Sequence, residues 1–231
     1  MLVSGIQKFY TQVPPTYELI NHLLTFGLDI AWRKKAVKYA LKNNGSSWLD
    51  VCSGTGETAC YLVNKGNNNT RIFATDFSLP MLSVAKSKPE GRHIGFSISE
   101  IKNLPFPDNM FDLVIISFAT RNINTTRDDL VKAFREIRRV LKSEGIFINL
   151  ETSQPDNSFI KFLFHQYVKA FIKPIGGSIS GSKAAYAYLA ATMQKFYGAE
   201  ELKQILTEAG FNRITFDRLL FGAAAIHTAL K

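Results

Sequence analysis

Gly54 and Gly56, separated by Thr55 and preceded by the apolar run 48–52, allow a tight backbone turn that brings amides close to a ligand at the N-terminus of the following helix. Asp76 stands twenty positions after Gly56, at the end of a second apolar stretch, where a carboxylate can accept hydrogen bonds from both ribose hydroxyls of an adenosine ligand. These residues point to an adenosine cofactor without choosing between NAD and S-adenosylmethionine. Asp50, four residues before Gly54, and Glu57, directly after Gly56, shift the choice. Two carboxylates suit the cationic methionyl end of S-adenosylmethionine, whereas the anionic pyrophosphate of a dinucleotide gains nothing from them. The plainer account of both acids is charge pairing at a helix N-terminus, worth under about 1 kcal/mol. The joint occurrence of Asp50, Gly54, Gly56 and Asp76 favours the cofactor.

Strand and helix signals alternate from Trp48 onward, which predicts a doubly wound, mostly parallel seven-stranded α/β sheet covered by helices on both faces. Strands are expected over 48–52, 71–75, 93–97, 111–118, 145–151, 213–220 and 224–230. Helices are expected over 57–65, over 80–88 with Ser78 as cap, over 128–142 with Leu130, Phe134, Ile137 and Leu141 on one face, and over 199–209, ended by Gly210. Two helices before the sheet, 17–28 and 30–41, break near Gly27. Two more, 159–172 and 182–193, joined through Gly176-Gly177-Ser178, form an insertion after the fifth strand. The expected organisation is one domain: a helical cap over 1–45, a cofactor-binding core over 46–152, the helical insertion over 153–197, and a C-terminal helix and strands over 198–231.

A chain of 231 residues suits one large core, and 46% hydrophobic with 20% charged residues excludes a disordered or fibrous protein. Lys and Arg outnumber Asp and Glu by 28 to 19, a formal charge of +9 that fits either an anionic partner or a solvated basic surface. The only two cysteines, Cys52 and Cys60, suit reduced thiols, and no metal site is indicated. Residues 1–10 carry no leader pattern, and no window reaches the roughly 18 apolar residues of a membrane span. The expectation is a cytoplasmic protein, at most peripheral at the inner face of a membrane.

At this level the chain resembles the ubiquinone/menaquinone biosynthesis C-methyltransferases, class I S-adenosylmethionine-dependent enzymes that methylate a ring carbon of a prenylated quinol. The resemblance runs nearly the full length, through Tyr17-Glu18-Leu19-Ile20-Asn21 with Gly27 and Trp32-Arg33, the glycine loop, Asp76-Phe77-Ser78 with Met81-Leu82, and Leu104-Pro105-Phe106-Pro107-Asp108 leading to Phe111-Asp112. It continues through Arg121-Asn122-Ile123, Arg139-Val140-Leu141-Lys142 with Gly145, Leu150-Glu151, Tyr186 with Tyr188-Leu189, Ala209-Gly210-Phe211, and Gly222 with His227 and Lys231. Arg121-Asn122 and the Tyr186/Tyr188/Leu189 pattern are the most particular to the family. The resemblance implies that Thr55, Asp76, Glu100, Ile101 and Ser117 contact the cofactor, with Glu100 and Ile101 near the adenine. Departures are Glu57 and Glu100 where aspartate, or Asp or Asn, is usual, Asp29 where histidine is expected, Thr120 before Arg121, Thr152 within Glu151-Thr152-Ser153, and Ala187 between the tyrosines.

Methyl transfer to a ring carbon needs an aligned carbon and a neighbouring hydroxyl that gives up its proton, with a pKa near 10 if it behaves as a phenol. Arg121 is the expected stabiliser of the phenolate, being always charged and unsuited to act as a base. Asn122, Tyr188 or His227 could orient water or take the proton, His227 having the pKa naturally suited to it. Tyr17, Asn21 and Trp32 are expected to close the pocket. The aromatic and basic stretch 159–172, with Lys161 and Lys169, suits either an anionic bilayer surface or a helix packed over the site. A homodimer is left open. Competing readings are another small acceptor, a NAD-dependent oxidoreductase, and a basic nucleic-acid module, the last without any recognised motif to support it and so not expected.

Overall fold

Trp48, Leu49 and Val51 are all buried, although neighbours along a strand point to opposite faces, so the strand Ser47–Val51 (β1) is covered on both sides. The computed structural model describes residues 14–41, 45–67, 69–172, 174 and 183–231, and β1 lies at the centre of its sheet. β2 (Arg71–Asp76), β3 (Ile94–Ile98), β4 (Phe111–Ser117), β5 (Leu141–Thr152), β6 (Asn212–Leu219) and β7 (Ala224–Leu230) complete it, in the order β3-β2-β1-β4-β5-β7-β6. All pairings are parallel except those of β7 with β5 and β6. The order reverses between β1 and β4, and such a reversal opens a crevice at the carboxyl ends of the two strands.

On one face, α6 (Arg127–Val140) and α9 (Ala199–Glu208) pack Leu130, Phe134, Ile137, Leu202 and Ile205 against Leu49, Val51, Val114 and Ile116. On the other, α2 (Leu28–Ala40) and α3 (Glu57–Val63) pack Ala36, Val37, Ala59 and Leu62 against Trp48, Leu113, Ile115, Ile148 and Leu150. α4 (Leu79–Ser87) begins at Ser78, whose Oγ accepts the Met81 amide as expected. α1 (Pro14–Leu24) precedes α2, and Gly27 between them sits at φ +74, the left-handed region that glycine occupies without strain. α7 (Ser158–Tyr167), a wide turn over Val168–Ile172, and α8 (Lys183–Lys195) form the insertion.

Three expectations change. The helix over 128–142 stops at Val140, because Leu141 turns extended and pairs with Phe111 at the start of β5. Arg121 and Asn122 do not trail off β4 but lie in a helical turn, α5 (Thr120–Ile123), closed by the Asn122 amide on the Ala119 carbonyl at 3.0 Å. Cap and insertion, expected as separate decorations, share one core in which Ile20 and Leu24 meet Val168, Ile172, Tyr186 and Ala190. The link at Gly176-Gly177-Ser178, residues 1–13 and the side chain of Tyr17 lie outside the described residues.

Arg139 fastens the loop between β3 and β4 to α6. Its guanidinium donates to the carbonyls of Phe106 (2.9 Å) and Leu104 (3.1 Å) while pairing with Glu136 and Asp108. Arg139→Ala is therefore expected to lower stability by about 2 kcal/mol through the loss of its two carbonyl bonds and its ion pairs, and Arg139→Lys to recover little, since one ammonium cannot span both. Urea denaturation of the two variants measures this.

Candidate functional site

The turn after β1 is built by two left-handed glycines, Gly54 at φ +54 and Gly56 at φ +77. At Gly56 a Cβ would also meet the Ala85 Cβ at 2.7 Å, so only glycine lets α3 start against α4. Asp76, at the end of β2, accepts the Gly54 amide on Oδ2 (2.9 Å) and the Ser78 amide on Oδ1 (2.8 Å). These bonds, with a third from the Phe77 amide, fix the carboxylate at the wall of a cleft of about 190 Å3. Gly54, Thr55, Asp76, Glu100, Ile101 and Ser117 all face this cleft, as does Asn122.

Asp50 and Gly56 support the cleft without facing it. Asp50 is almost completely buried on β1, and desolvation, only partly offset by the Arg33 charge and the Ala59 amide, pushes its carboxyl up to about 7. Burial also raises Asp76 and Glu57 above the usual carboxylate range, opposed at Asp76 by its amide bonds and at Glu57 by Arg33 and His22. Ser53 Oγ, Ser99 Oγ and Arg33 Nε are buried at this cleft with no hydrogen-bond partner among the described residues. An elongated ligand carrying ribose hydroxyls and a zwitterionic end fits this set, since it supplies partners that buried polar atoms otherwise lack.

A second cavity of about 370 Å3 adjoins the first, and Arg33 and Phe118 belong to the walls of both. It is mainly apolar, enclosed by cap and insertion side chains such as Leu24, Trp32, Ile160, Phe164 and Leu189. Asn21 and Trp32 line it as expected. Arg121 lines it too, but its Nη1 is held by Glu151 Oε1 at 2.5 Å and by the Phe118 carbonyl at 3.0 Å, while the Arg121 amide reaches Glu151 Oε2 at 3.1 Å. The ion-pair partner Glu151 stands out in the sequence only as a conspicuous acid ending an apolar strand.

Two sequence-based candidates do not join this group. His227 is buried on β7, its Nε2 donating to the Ala199 carbonyl at 2.8 Å and its ring against Phe216, and it lines neither cavity. Desolvation lowers its pKa to about 4, leaving it neutral and structural. Tyr188, on α8, also lines neither, although the Arg121 charge acts on its hydroxyl. Conversely, Arg33 comes to the junction of the cavities and Asp29, bonded to His22, to the second cavity without having been assigned a role. Arg33 donates to Thr58 Oγ1 (3.1 Å), lies 3.6 Å from Glu57 and stacks its guanidinium over Phe118 at 5.0 Å. His22, Asp29 and Glu57 bring their ligand atoms within 4.8 Å of one another, as a metal set would, but Arg33 already supplies the positive charge against Glu57. The signal in the sequence was the i,i+4 spacing of Asp29 and Arg33 on an otherwise apolar helix face.

A family model described as the ubiE/COQ5 methyltransferase family matches residues 3–231. A protein of Thermus thermophilus named demethylmenaquinone methyltransferase is 36% identical over 220 residues, covering 94% of this chain and 97% of its own. A Rickettsia felis protein named ubiquinone/menaquinone biosynthesis C-methyltransferase UbiE is 35% identical over 233 residues, covering 98% and 92%. Among solved structures, a SAM-dependent methyltransferase of Thermotoga maritima superimposes with a TM-score of 0.63 over 94% of this chain and 98% of its own, at 18% identity, a likeness of fold alone.

Asp50 generates a test. Its pKa is raised in the fold, so stability falls as pH rises between about 4 and about 7, where the buried carboxyl must ionise. Asp50→Asn should melt with wild type near pH 4 and above it at pH 8, by on the order of 3 kcal/mol.

Proposed function

The chain belongs to the ubiE/COQ5 methyltransferase family and is an S-adenosylmethionine-dependent methyltransferase, and on that premise we propose that it methylates a ring carbon of a prenylated quinol such as demethylmenaquinol. The observation that carries this reading is the pair of cavities sharing Arg33 and Phe118, one holding Asp76, Glu57 and the glycine turn and sized for a nucleoside, the other almost wholly apolar and sized for a ring with part of a lipid tail. Asp76 serves the ribose, Glu100 and Ile101 the adenine, and Glu57 the cationic methionyl end, with Asp50 supporting the cleft from β1. When bound, the cofactor supplies an electrophilic methyl group on a sulfonium. What the chain adds is alignment at the shared wall and exclusion of water by Trp32, Phe118, Phe164 and Leu189, which is worth much of the barrier when reactants are held in line. Arg121, immobilised by Glu151, holds positive charge at the acceptor cavity where a phenolate forms.

A prenylated acceptor is insoluble in water, and the rim of its cavity suits a lipid surface. Phe26 and Phe221, 80% and 76% exposed, stand at the rim with Leu163 and Leu220, and Phe159, Phe162, Lys161 and Lys169 are exposed on the adjoining insertion. In this reading the protein rests on an anionic membrane with the cavity facing the bilayer. Among the described residues no helix is long and apolar enough to cross one.

Incubation with isotopically labelled cofactor and a lipid extract, followed by mass identification of the product, tests the acceptor: a labelled methyl on a quinol ring supports it, and label on a non-quinol small molecule replaces it. Arg121→Ala should lose about 3 kcal/mol of transition-state stabilisation with S-adenosylhomocysteine affinity unchanged. It should also lose about 3 to 5 kcal/mol of stability, since it strands a buried Glu151. Arg121→Lys should regain the stability and only part of the rate, because the planar fork is gone; single-turnover kinetics well below the melting temperature separate the two effects. Flotation with phosphatidylglycerol vesicles at low salt should occur for wild type and fall when Lys161 and Lys169 are both changed to glutamate.

A further inference from the structure

Methylation of a quinol ring requires a proton acceptor at the acceptor cavity, and the residues that sequence offered for that work are elsewhere. Asn122 faces the cofactor cleft, and Tyr188 and His227 face neither space. Arg121 is a permanent cation bound to Glu151. Among the described residues lining the apolar cavity, Asp29 is the one carboxylate.

Asp29 is built as half of a dyad. Its Oδ2 meets His22 Nδ1 at 2.8 Å, and its Oδ1 accepts the Thr25 hydroxyl at 2.6 Å. It is 2% exposed, whereas the His22 side chain is 29% exposed, so one member meets the cavity and the other meets water. The dyad also stands at the right place along α2. Arg33, one turn further on, lines both cavities and marks where the methyl group crosses. Side chains four apart on a helix lie about 5 to 6 Å apart, close to the reach of about 5 Å from a ring carbon at the crossing point, through a hydroxyl on the adjacent carbon, to a carboxylate that accepts its hydrogen bond.

We propose that Asp29 is the catalytic base that takes the proton of the acceptor hydroxyl, with His22 as the positioning residue that orients the carboxylate and shares the proton on its way to solvent. The inference rests on the reading of the acceptor as a quinol or similar hydroxyarene. The O–H bond breaks, its electron pair stays on the acceptor oxygen and raises electron density on the neighbouring ring carbon, and the proton passes to Asp29. Arg33 and Arg121 flank the resulting anion. After the methyl group arrives, the hydrogen on the same ring carbon leaves as a proton and restores aromaticity, and the oxygen regains a proton, so each turnover releases one net proton. His22 Nε2 faces Glu57 Oε1 at 3.4 Å. The charged and titratable groups around the dyad are Glu57 and Tyr61 from α3, Arg33 from α2, Glu18 from α1 with its partner Lys88, and Arg121 across the cavity. A general base contributes a factor of about 10² to 10⁴.

Two measurements decide it. The first needs no turnover: in enzyme saturated with S-adenosylhomocysteine, 1-naphthol should bind about tenfold more tightly than its methyl ether, because only the naphthol can donate to a carboxylate. Asp29→Ala should erase that preference and Asp29→Asn retain part of it, since an amide accepts a hydrogen bond but cannot keep the proton. No preference in wild type, or a preference that survives in Asp29→Ala, overturns the proposal whatever the natural acceptor is. The second uses demethylmenaquinol. Asp29→Asn should turn over about 10² to 10⁴ times more slowly than wild type, with unchanged S-adenosylhomocysteine affinity, and recover as the pH approaches the pKa of the acceptor hydroxyl. His22→Gln should fall by less and shift the acid limb of the pH–rate profile, and the pair-reversing double variant His22→Asp with Asp29→His should regain at least tenfold over either single change. An Asp29→Asn enzyme within a few fold of wild type, or an unshifted profile in His22→Gln, overturns the assignment. Wild type that binds naphthol as described yet leaves demethylmenaquinol unchanged refutes the quinol reading and leaves the dyad standing.

Discussion

Arg33 is 7% exposed at the boundary of two cavities, and a guanidinium removed from water costs several kcal/mol unless the protein replaces what water supplied. The replacements come from separate parts of the chain: the Thr58 hydroxyl and Glu57 carboxylate from α3, and the ring of Phe118 from the segment after β4. Meeting them draws the cap helix onto the carboxyl ends of the sheet, at the point where strand order reverses. Thr58 passes the connection on, donating to Ser117 at 3.1 Å, so cap, cofactor turn and the end of β4 are fixed by one run of polar contacts. The cofactor cleft and the acceptor cavity are therefore assembled together.

The two cavities answer opposite demands. The cleft is lined by atoms that need a polar partner, and its glycines and Asp76 are committed to backbone geometry before any ligand binds. Such preorganisation reduces the ordering that binding would otherwise require. The acceptor cavity is enclosed by side chains from α2, which packs on the sheet, and from α1, α7 and α8, whose core is separate from the two that cover the sheet. A layer with a small core of its own can open at less cost than one interleaved with the sheet, which suits admission of a bulky lipid.

Charges buried around the apolar cavity are matched in pairs. Arg121 has Glu151, Arg33 has Glu57, and Asp29 has His22. In a medium that screens poorly, an unpaired partner would be costly, so each pair holds its members in place. Phe26 and Phe221, both at positive φ, hold strained non-glycine conformations next to Gly27 and Gly222 and keep their rings directed outward at the rim.

The sequence by itself determined the elements and the cofactor turn, because these depend on local periodicity and on residue types at short spacing. The seven strands fall within a few residues of expectation, except that β5 begins four residues earlier, Gly54 and Gly56 form the left-handed turn and Ser78 caps its helix as their neighbours in the chain dictate, and Asp76 ends β2 at that turn. The helix expected over 128–142 ended early because Leu141 is claimed by Phe111, thirty residues distant, and no local pattern carries that pairing. The acceptor side was decided by tertiary structure alone. His227 has the pKa suited to a base in isolation, but burial against the Ala199 carbonyl removes it from the chemistry. His22 and Asp29 are unremarkable seven residues apart in sequence, and become a dyad only because the break at Gly27 turns α2 back beside α1. Their partners Glu57 and Arg33 are brought in by the packing of α3 on α2, a long-range contact set by core complementarity rather than by any residue's own preference.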